Sequence, residues 1–303
     1  MQGEDYFRDT GCEAVAGQPG CYRGELSNDW MLAVAPQGGI VAALAGRAMT
    51  AEIDHPDQRL RTLTAMFAQP VRPGPVEIDV TVLRRGRSIS QATATVRNVG
   101  AEAGLTAVAA FGATRPGFEF TDVSYPVADP PEDCPSFRDP WPDDVDLPAP
   151  SGDPFPFWTR VEGRPASGHA PWETWTPTTS EHLTWQRFDD PPVGPDGRLD
   201  PLALVVLVDM MPGAVSERMG EWSEWFGPSV DLTVHLFDTP GPGWLLLRNR
   251  ARHAGDGYAS VEMEAWDPET RSLVAYATQQ MFFAFNGEPP PPERRRPVDQ
   301  RRA

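Results

Sequence analysis

The chain has 303 residues, a formal net charge of −17 and 26 basic residues, all arginine. That length can bury two modest cores. The lack of lysine excludes Schiff-base and phosphate-loop lysine chemistry, and the acidity argues against non-specific nucleic-acid binding, which needs a basic face.

The N-terminal stretch MQGEDYFRDTG is polar and acidic, unlike a signal peptide. The longest apolar runs, near Ile40–Ala45 and Pro201–Val208, are too short to cross a bilayer. A soluble, cytoplasmic protein is expected. Cys12, Cys21 and Cys134 are an odd, low number that reads as free thiols, although Cys12 and Cys21 could pair in an oxidising compartment. Neither they nor the five histidines show metal-ligand spacing, so neither metal nor cofactor is expected.

In chain order, a first strand near Cys21 leads to GGIVAALAGRAM from Gly38, a helix apolar all round that must be covered on most sides. In VEIDVTVL, strict alternation puts Val76, Ile78, Val80 and Val82 on one strand face. The turn LRRGRS follows with Arg84, Arg85 and Arg87, then another alternating strand, then LTAVAAFGA from Leu105. Residues 1–125 read as one unit. Residues 126–154 are dense in proline, lack any hydrophobic period and read as a linker draped over the surface.

Residues 155–286 repeat the pattern: an apolar helix from Leu202, then strands from Leu232, a turn at Gly255 and a last strand from Leu273. Gly86 and Gly255 fall at the same offset from Leu63 and Leu232, which indicates a duplicated unit. Residues 287–303 read as a disordered tail by composition. One helix followed by antiparallel strands, twice over, is an α+β arrangement in which each curved sheet wraps its own helix. The second helix ends in Asp209, a carboxylate costly to bury unless paired or protonated, and Pro212 should end or kink that helix.

These residues resemble a known family. CYRGELSNDWMLAVAPQGGIVAALAGRAM from Cys21 is similar to the first strand, loop and Gly-Gly helix start of the thioesterase II acyl-CoA thioesterases. FAQPVRPGPVEIDVTVLRRGRSIS from Phe67 is similar to their F-x-R-P…V-x-x-L-R-x-G-R-S-x-S segment, with Gln69 where the family often has Arg. The second-half resemblance runs from the Asp209 helix to Gln279 and leaves out the Pro126–Pro156 linker, the region Gly163–Thr179 and the tail.

The resemblance implies a tandem, or double, hotdog fold and hydrolysis of acyl-CoA to free acid and CoA within fatty acid metabolism. It implies that Asp209, Ser229 and Gln279 together orient a water, with Ser229 standing where Thr is commoner. The duplication offers a check: the first helix carries no Asp or Glu, the position matching Ser229 is near Leu60, and that matching Gln279 falls at Ala110–Phe111. Only one copy is chemically equipped.

Asp209 would then be a general base. Gly38 and Gly39 would bring backbone N–H groups at a helix start to the thioester oxyanion. Arg84, Arg85 and Arg87 would meet the phosphates of coenzyme A or remain a solvated turn. The partners expected are an acyl-CoA or acyl-carrier thioester and, by the family's habit, a second copy in a homodimer.

A non-catalytic or biosynthetic double-hotdog protein that binds acyl thioesters is the alternative. A hydratase would need an Asp–His pair that the sequence does not place near Asp209. His55, His169, His182 and His235 read as structural, and His253 stands opposite Arg84 in the repeat. The cluster Trp158, Trp172, Trp175, Trp185, Trp222 and Trp225 reads as packing, with an aromatic acyl pocket as the other use.

Overall fold

The structure is a computed structural model that describes residues 2–140, 155–169, 173, 175–220, 225–285 and 287–289. Trp172, Trp222 and the tail expected from the sequence, apart from 287–289, lie outside the described residues.

After a short helix α1 (Glu4–Thr10) and a two-residue strand β1 (Glu13–Ala14), the first half contains β2 (Cys21–Leu26), α2 (Gly38–Ile53), β3 (Arg59–Phe67), β4 (Gly74–Arg84), β5 (Ile89–Asn98) and β6 (Leu105–Gly112). The second contains β7 (Val161–Ser167), β8 (Glu181–Phe188), α3 (Pro201–Val208), α4 (Gly213–Met219), β9 (Trp225–Phe226), β10 (Asp231–Leu236), β11 (Leu245–Gly255), β12 (Tyr258–Asp267), β13 (Ser272–Phe282) and β14 (Ala284–Phe285). Among the described residues, twelve strands form one antiparallel sheet in the order β1-β2-β4-β5-β6-β3-β10-β13-β12-β11-β8-β7. The order β2-β4-β5-β6-β3 recurs as β8-β11-β12-β13-β10, so the duplicated halves join edge to edge through β3 and β10. This is the double hotdog.

The alternation in β4 does what its pattern requires: Val76 and Ile78 are fully buried and Val80 nearly so. The register also fixes the equivalence of the halves. Ala92 lies opposite Ala109, and Val261 lies opposite Gln279. Ala92 and Val261 sit at equal distances beyond Gly86 and Gly255. The counterpart of Gln279 is therefore Ala109, one step before the expected Ala110–Phe111. It is buried and apolar.

The two helices pack on each other inside the sheet. A Cβ on Gly39 would come within 2.7 Å of Val205 O and 2.8 Å of Val206 Cα, and one on Gly46 within 2.5 Å of a Leu202 methyl. The two glycines are two turns apart on one face of α2. Their partners run backwards along α3, so the helices are antiparallel and approach closely because the glycines lack side chains. At one end of the pair, Asp200 caps α3 by accepting Leu202 N–H at 2.9 Å, accepts the Arg47 guanidinium at 2.9 Å and is met by Tyr6 OH at 3.3 Å. The other end holds Asp209.

The described part of the proline-rich stretch lies on the outer face of the second half. Trp185 Nε1 donates to Asp129 O at 2.8 Å, and Tyr125 packs edge-on against Trp266. The three cysteines are free, so the Cys12–Cys21 pair is not formed. Among the described residues, no helix is long and apolar enough to cross a membrane.

Candidate active site

Every residue of α3 after Pro201 is apolar and buried, and the helix stops at Val208. Pro212 explains the stop: it has no N–H to give Val208 O, and its ring would strike that carbonyl. It serves instead as the N-cap of α4. Asp209 is the C-cap of α3, at φ −87° and ψ 45°, with only 8 % of its surface exposed. The antiparallel helix packing sets this residue beside the N-terminus of α2. A carboxylate is disfavoured at a helix C-terminus and favoured at an N-terminus, so α2 supplies what α3 denies.

Three elements converge on this carboxylate. Gly39 N–H donates to Oδ2 at 2.6 Å, and Gln279 Nε2 donates to Oδ1 at 2.6 Å. The same Nε2 lies 2.7 Å from Ser229 Oγ, which accepts from it. Gln279 points inward from β13, and Ser229 is held next to that strand by an isolated bridge to Met281 and by Val230 N–H donating to Gln280 O at 2.7 Å. Burial pushes the Asp209 carboxyl up to about 7, outweighing the donors at Gln279, Gly39 and Ser229 that favour the charged form. Among the described residues, the groups that hydrogen-bond to Asp209 through its carboxylate include no histidine.

The glycine pair divides its labour differently from expectation. The N–H of Gly39 is engaged by Asp209 and is not open to a substrate oxygen. The N–H of Gly38 has no acceptor among the described residues. A Cβ on Gly38 would lie 2.9 Å from Asp209 Oδ2 and 2.8 Å from the Phe67 ring, so the close approach of the carboxylate requires glycine there.

The arginine turn does not join the site. Arg85 donates to Ile53 O and Glu52 O, the orphan carbonyls at the C-terminus of α2. The axis from Gly39 to Ile53 is about 21 Å long. Arg84 and Arg87 are exposed at that same far end. The histidines and tryptophans also have other employment. His182 is buried with Nδ1 against Thr184 Oγ1 at 3.0 Å, and burial lowers its pKa to about 4. His169 pairs with Glu217 and stacks on Trp175. Trp158 packs edge-on against Phe137 and Phe157, and Trp225 against Phe283.

Sequence reasoning passed over Gln37 and Phe67. Phe67 closes on Gly38. Gln37 is the N-cap of α2 and donates to Val206 O and Asp209 O. Its position directly before Gly38-Gly39 was the available signal.

Two halves of like topology, with a carboxylate, a hydroxyl and a carboxamide gathered in one of them, define a double-hotdog protein with one equipped site. The sequence pattern of the acyl-CoA thioesterase N-terminal domain matches residues 26–112, and that of the acyl-CoA thioesterase C-terminal domain matches residues 131–283. The chain belongs to the acyl-CoA thioesterase family. The C-terminal match takes in Gly163–Thr179 and part of the proline-rich stretch, both left out of the resemblance drawn from sequence.

Among solved structures, the chain is similar to a hot dog fold protein of unknown function from Alicyclobacillus acidocaldarius, with 25 % identity, a TM-score of 0.74 and coverage of 93 % of this chain and 98 % of that one. It is similar to a candidate thioesterase II from Thermobifida fusca YX, with 25 % identity, a TM-score of 0.72 and coverage of 92 % and 97 %. The acyl-CoA thioesterase II TesB2 of Mycobacterium marinum shares the fold at 19 % identity, with a TM-score of 0.69 and coverage of 93 % and 99 %. No curated protein matches the sequence.

Proposed function

We propose that this protein hydrolyses an acyl thioester to the free acid and a thiol, with Asp209 as general base on a water held by Ser229 and Gln279. The water oxygen attacks the thioester carbonyl carbon while its proton passes to Asp209. The carbonyl oxygen becomes an oxyanion at the start of α2, where the N–H of Gly38 and the helix dipole favour negative charge. The intermediate collapses, the C–S bond breaks, and the thiolate takes the proton back from Asp209. Water adds across the C–S bond, and no electrons are exchanged with a cofactor.

One observation carries the reading: Gln279 Nε2 stands 2.6 Å from Asp209 and 2.7 Å from Ser229, from which it is separated by 70 and 50 residues of chain. A surface acid, a turn serine and a strand amide without a shared task would have no reason to meet at one buried atom. Their apolar counterparts in the first half, Leu60 and Ala109, support a site kept in one copy only.

The test is colorimetric thiol release from a panel of acyl-CoA and acyl-carrier thioesters. The wild-type protein should turn over at least one of them. Asp209→Asn should lower kcat by about 10²–10⁴-fold, the worth of a positioned general base, while still binding the substrate. Full activity in Asp209→Asn removes the base from Asp209. Binding without turnover by the wild-type protein favours the non-catalytic alternative.

A further inference from the structure

Gln37 is 1 % exposed, and three hydrogen bonds engage both hydrogens and the oxygen of its carboxamide. Its Oε1 accepts Ile40 N–H at 3.0 Å, which caps α2. Its Nε2 donates to Val206 O at 2.8 Å and to Asp209 O at 3.1 Å, both at the end of α3. The break before Pro212 leaves the last carbonyls of α3 short of helical partners. The usual N-cap residues Ser, Thr and Asp could cap α2 but could not also supply two hydrogens to a neighbouring helix. Asn has the same group on a shorter stem. Gln is the residue that caps one helix, closes the other and spans the gap between them.

Geometry gives this clamp a further consequence. Two residues beyond Gln37, Gly39 N–H holds the carboxylate of Asp209, while Gln37 itself holds the main-chain carbonyl of Asp209. One turn of α2 therefore grips Asp209 at both backbone and side chain. A second carboxamide, Asn249 of β11, donates to the next carbonyl, Met210 O, at a longer 3.5 Å. We infer that Gln37 is a positioning residue, which locks the backbone of Asp209 to the start of α2 so that its carboxylate stays on the Gly39 N–H and within reach of Gln279. Its role in turnover rests on the hydrolase reading above. Its role in holding Asp209 does not.

Two variants and two readouts test this. Gln37→Met keeps the length and removes every hydrogen bond. Gln37→Glu keeps the acceptor for Ile40 N–H and removes the donors to α3, so it also serves if the Met variant fails to fold. The first readout is kcat and KM for thiol release from about pH 5 to 9. Both variants should lose about tenfold or more in kcat, with KM changed by about threefold or less, the pattern of a lost transition-state arrangement. The midpoint of the pH–kcat curve should also move by about half a unit or more.

The second readout needs no turnover: the Gly39 amide resonance, followed by ¹H–¹⁵N NMR over the same pH range, reports ionisation of the carboxylate it touches. In both variants its pH-dependent displacement should fall to about half or less of the wild-type value. Lower thermal stability with wild-type kcat, midpoint and Gly39 titration would reduce Gln37 to a structural cap and overturn the inference. If the wild-type protein releases no thiol from any thioester, the hydrolase reading falls, and the Gly39 titration still decides the case of Gln37.

Discussion

The N–H of Gly39 donates to Oδ2 of Asp209 at 2.6 Å across 170 residues of sequence and from one hotdog half to the other. The first half thus supplies part of the electrostatic environment for an acid that belongs to the second. Two opposed effects meet there. Burial favours the neutral carboxyl, and the donors at Gln279, Gly39 and Ser229 favour the anion. Burial wins by enough to leave the group titrating near 7, where a general base is most effective.

The first prediction concerns rate and pH. A base must be ionised to accept a proton, so kcat/KM should rise through a midpoint of about 7 and level off above it. An initial-rate profile in overlapping buffers measures this. A profile flat between pH 5 and 8 would show that ionisation of Asp209 does not limit the reaction.

The same group bears on stability with the opposite sign. Its folded pKa of about 7 lies above the ordinary value of 3.8, so between those values the folded protein binds more protons than the unfolded chain. The contribution is present below about pH 4 and is lost as pH rises through about 7. The full shift corresponds to roughly 4 kcal/mol. Asp209→Asn removes the ionisation. Melting curves should therefore show the variant gaining on the wild-type protein from pH 5 to pH 8. A constant difference between the two across that range would contradict it.

A third prediction separates the partners of Asp209. Gln279→Met keeps the bulk and withdraws the donor that most strongly favours the anion. The rate midpoint should move above the wild-type value, and kcat should fall by about 10–100-fold. Ser229→Ala should move the midpoint the same way by less, because the Ser229 contribution ranks below that of Gln279. Gln279 Nε2 is shared between both partners, so the double variant should cost less than the sum of the singles. Strict additivity would mean that the two act separately.

Much of this architecture was legible in the residues. The alternation of Val76, Ile78 and Val80 gave the inner face of β4, the equal offsets of Gly86 and Gly255 gave the duplication, and Pro212 gave the break after Asp209. Asp209, Ser229 and Gln279 came from family resemblance, and the asymmetry between the halves sharpened them. The contact of Gly39 with Asp209 was beyond sequence reasoning, because it depends on two helices far apart in the chain packing antiparallel over glycines. Ala109 was missed by one position, since strand register is set by cross-strand hydrogen bonds that a linear count does not see. The arginine turn shows the same limit of a linear reading. Charge pattern shows where cations lie along the chain, whereas a guanidinium aimed at a helix end shows itself only in three dimensions.

That turn yields the last prediction. Arg85 sits where the C-terminus of α2 leaves carbonyls unpaired, and its guanidinium donates to those of Glu52 and Ile53. A cation there is favoured by the helix dipole and by the hydrogen bonds it makes. Arg85→Ala should cost about 1 kcal/mol of stability, seen as a fall of about 2–4 °C in Tm. The site around Asp209 lies at the opposite end of α2, about 21 Å away, so KM and kcat for a CoA thioester should stay within about twofold of wild type. Arg84→Ala and Arg87→Ala should leave both Tm and KM unchanged, since both side chains are exposed. A marked rise in KM for CoA thioesters in any of the three, absent with a pantetheine thioester that lacks the nucleotide phosphates, would return the turn to the substrate-binding role that its charge first suggested.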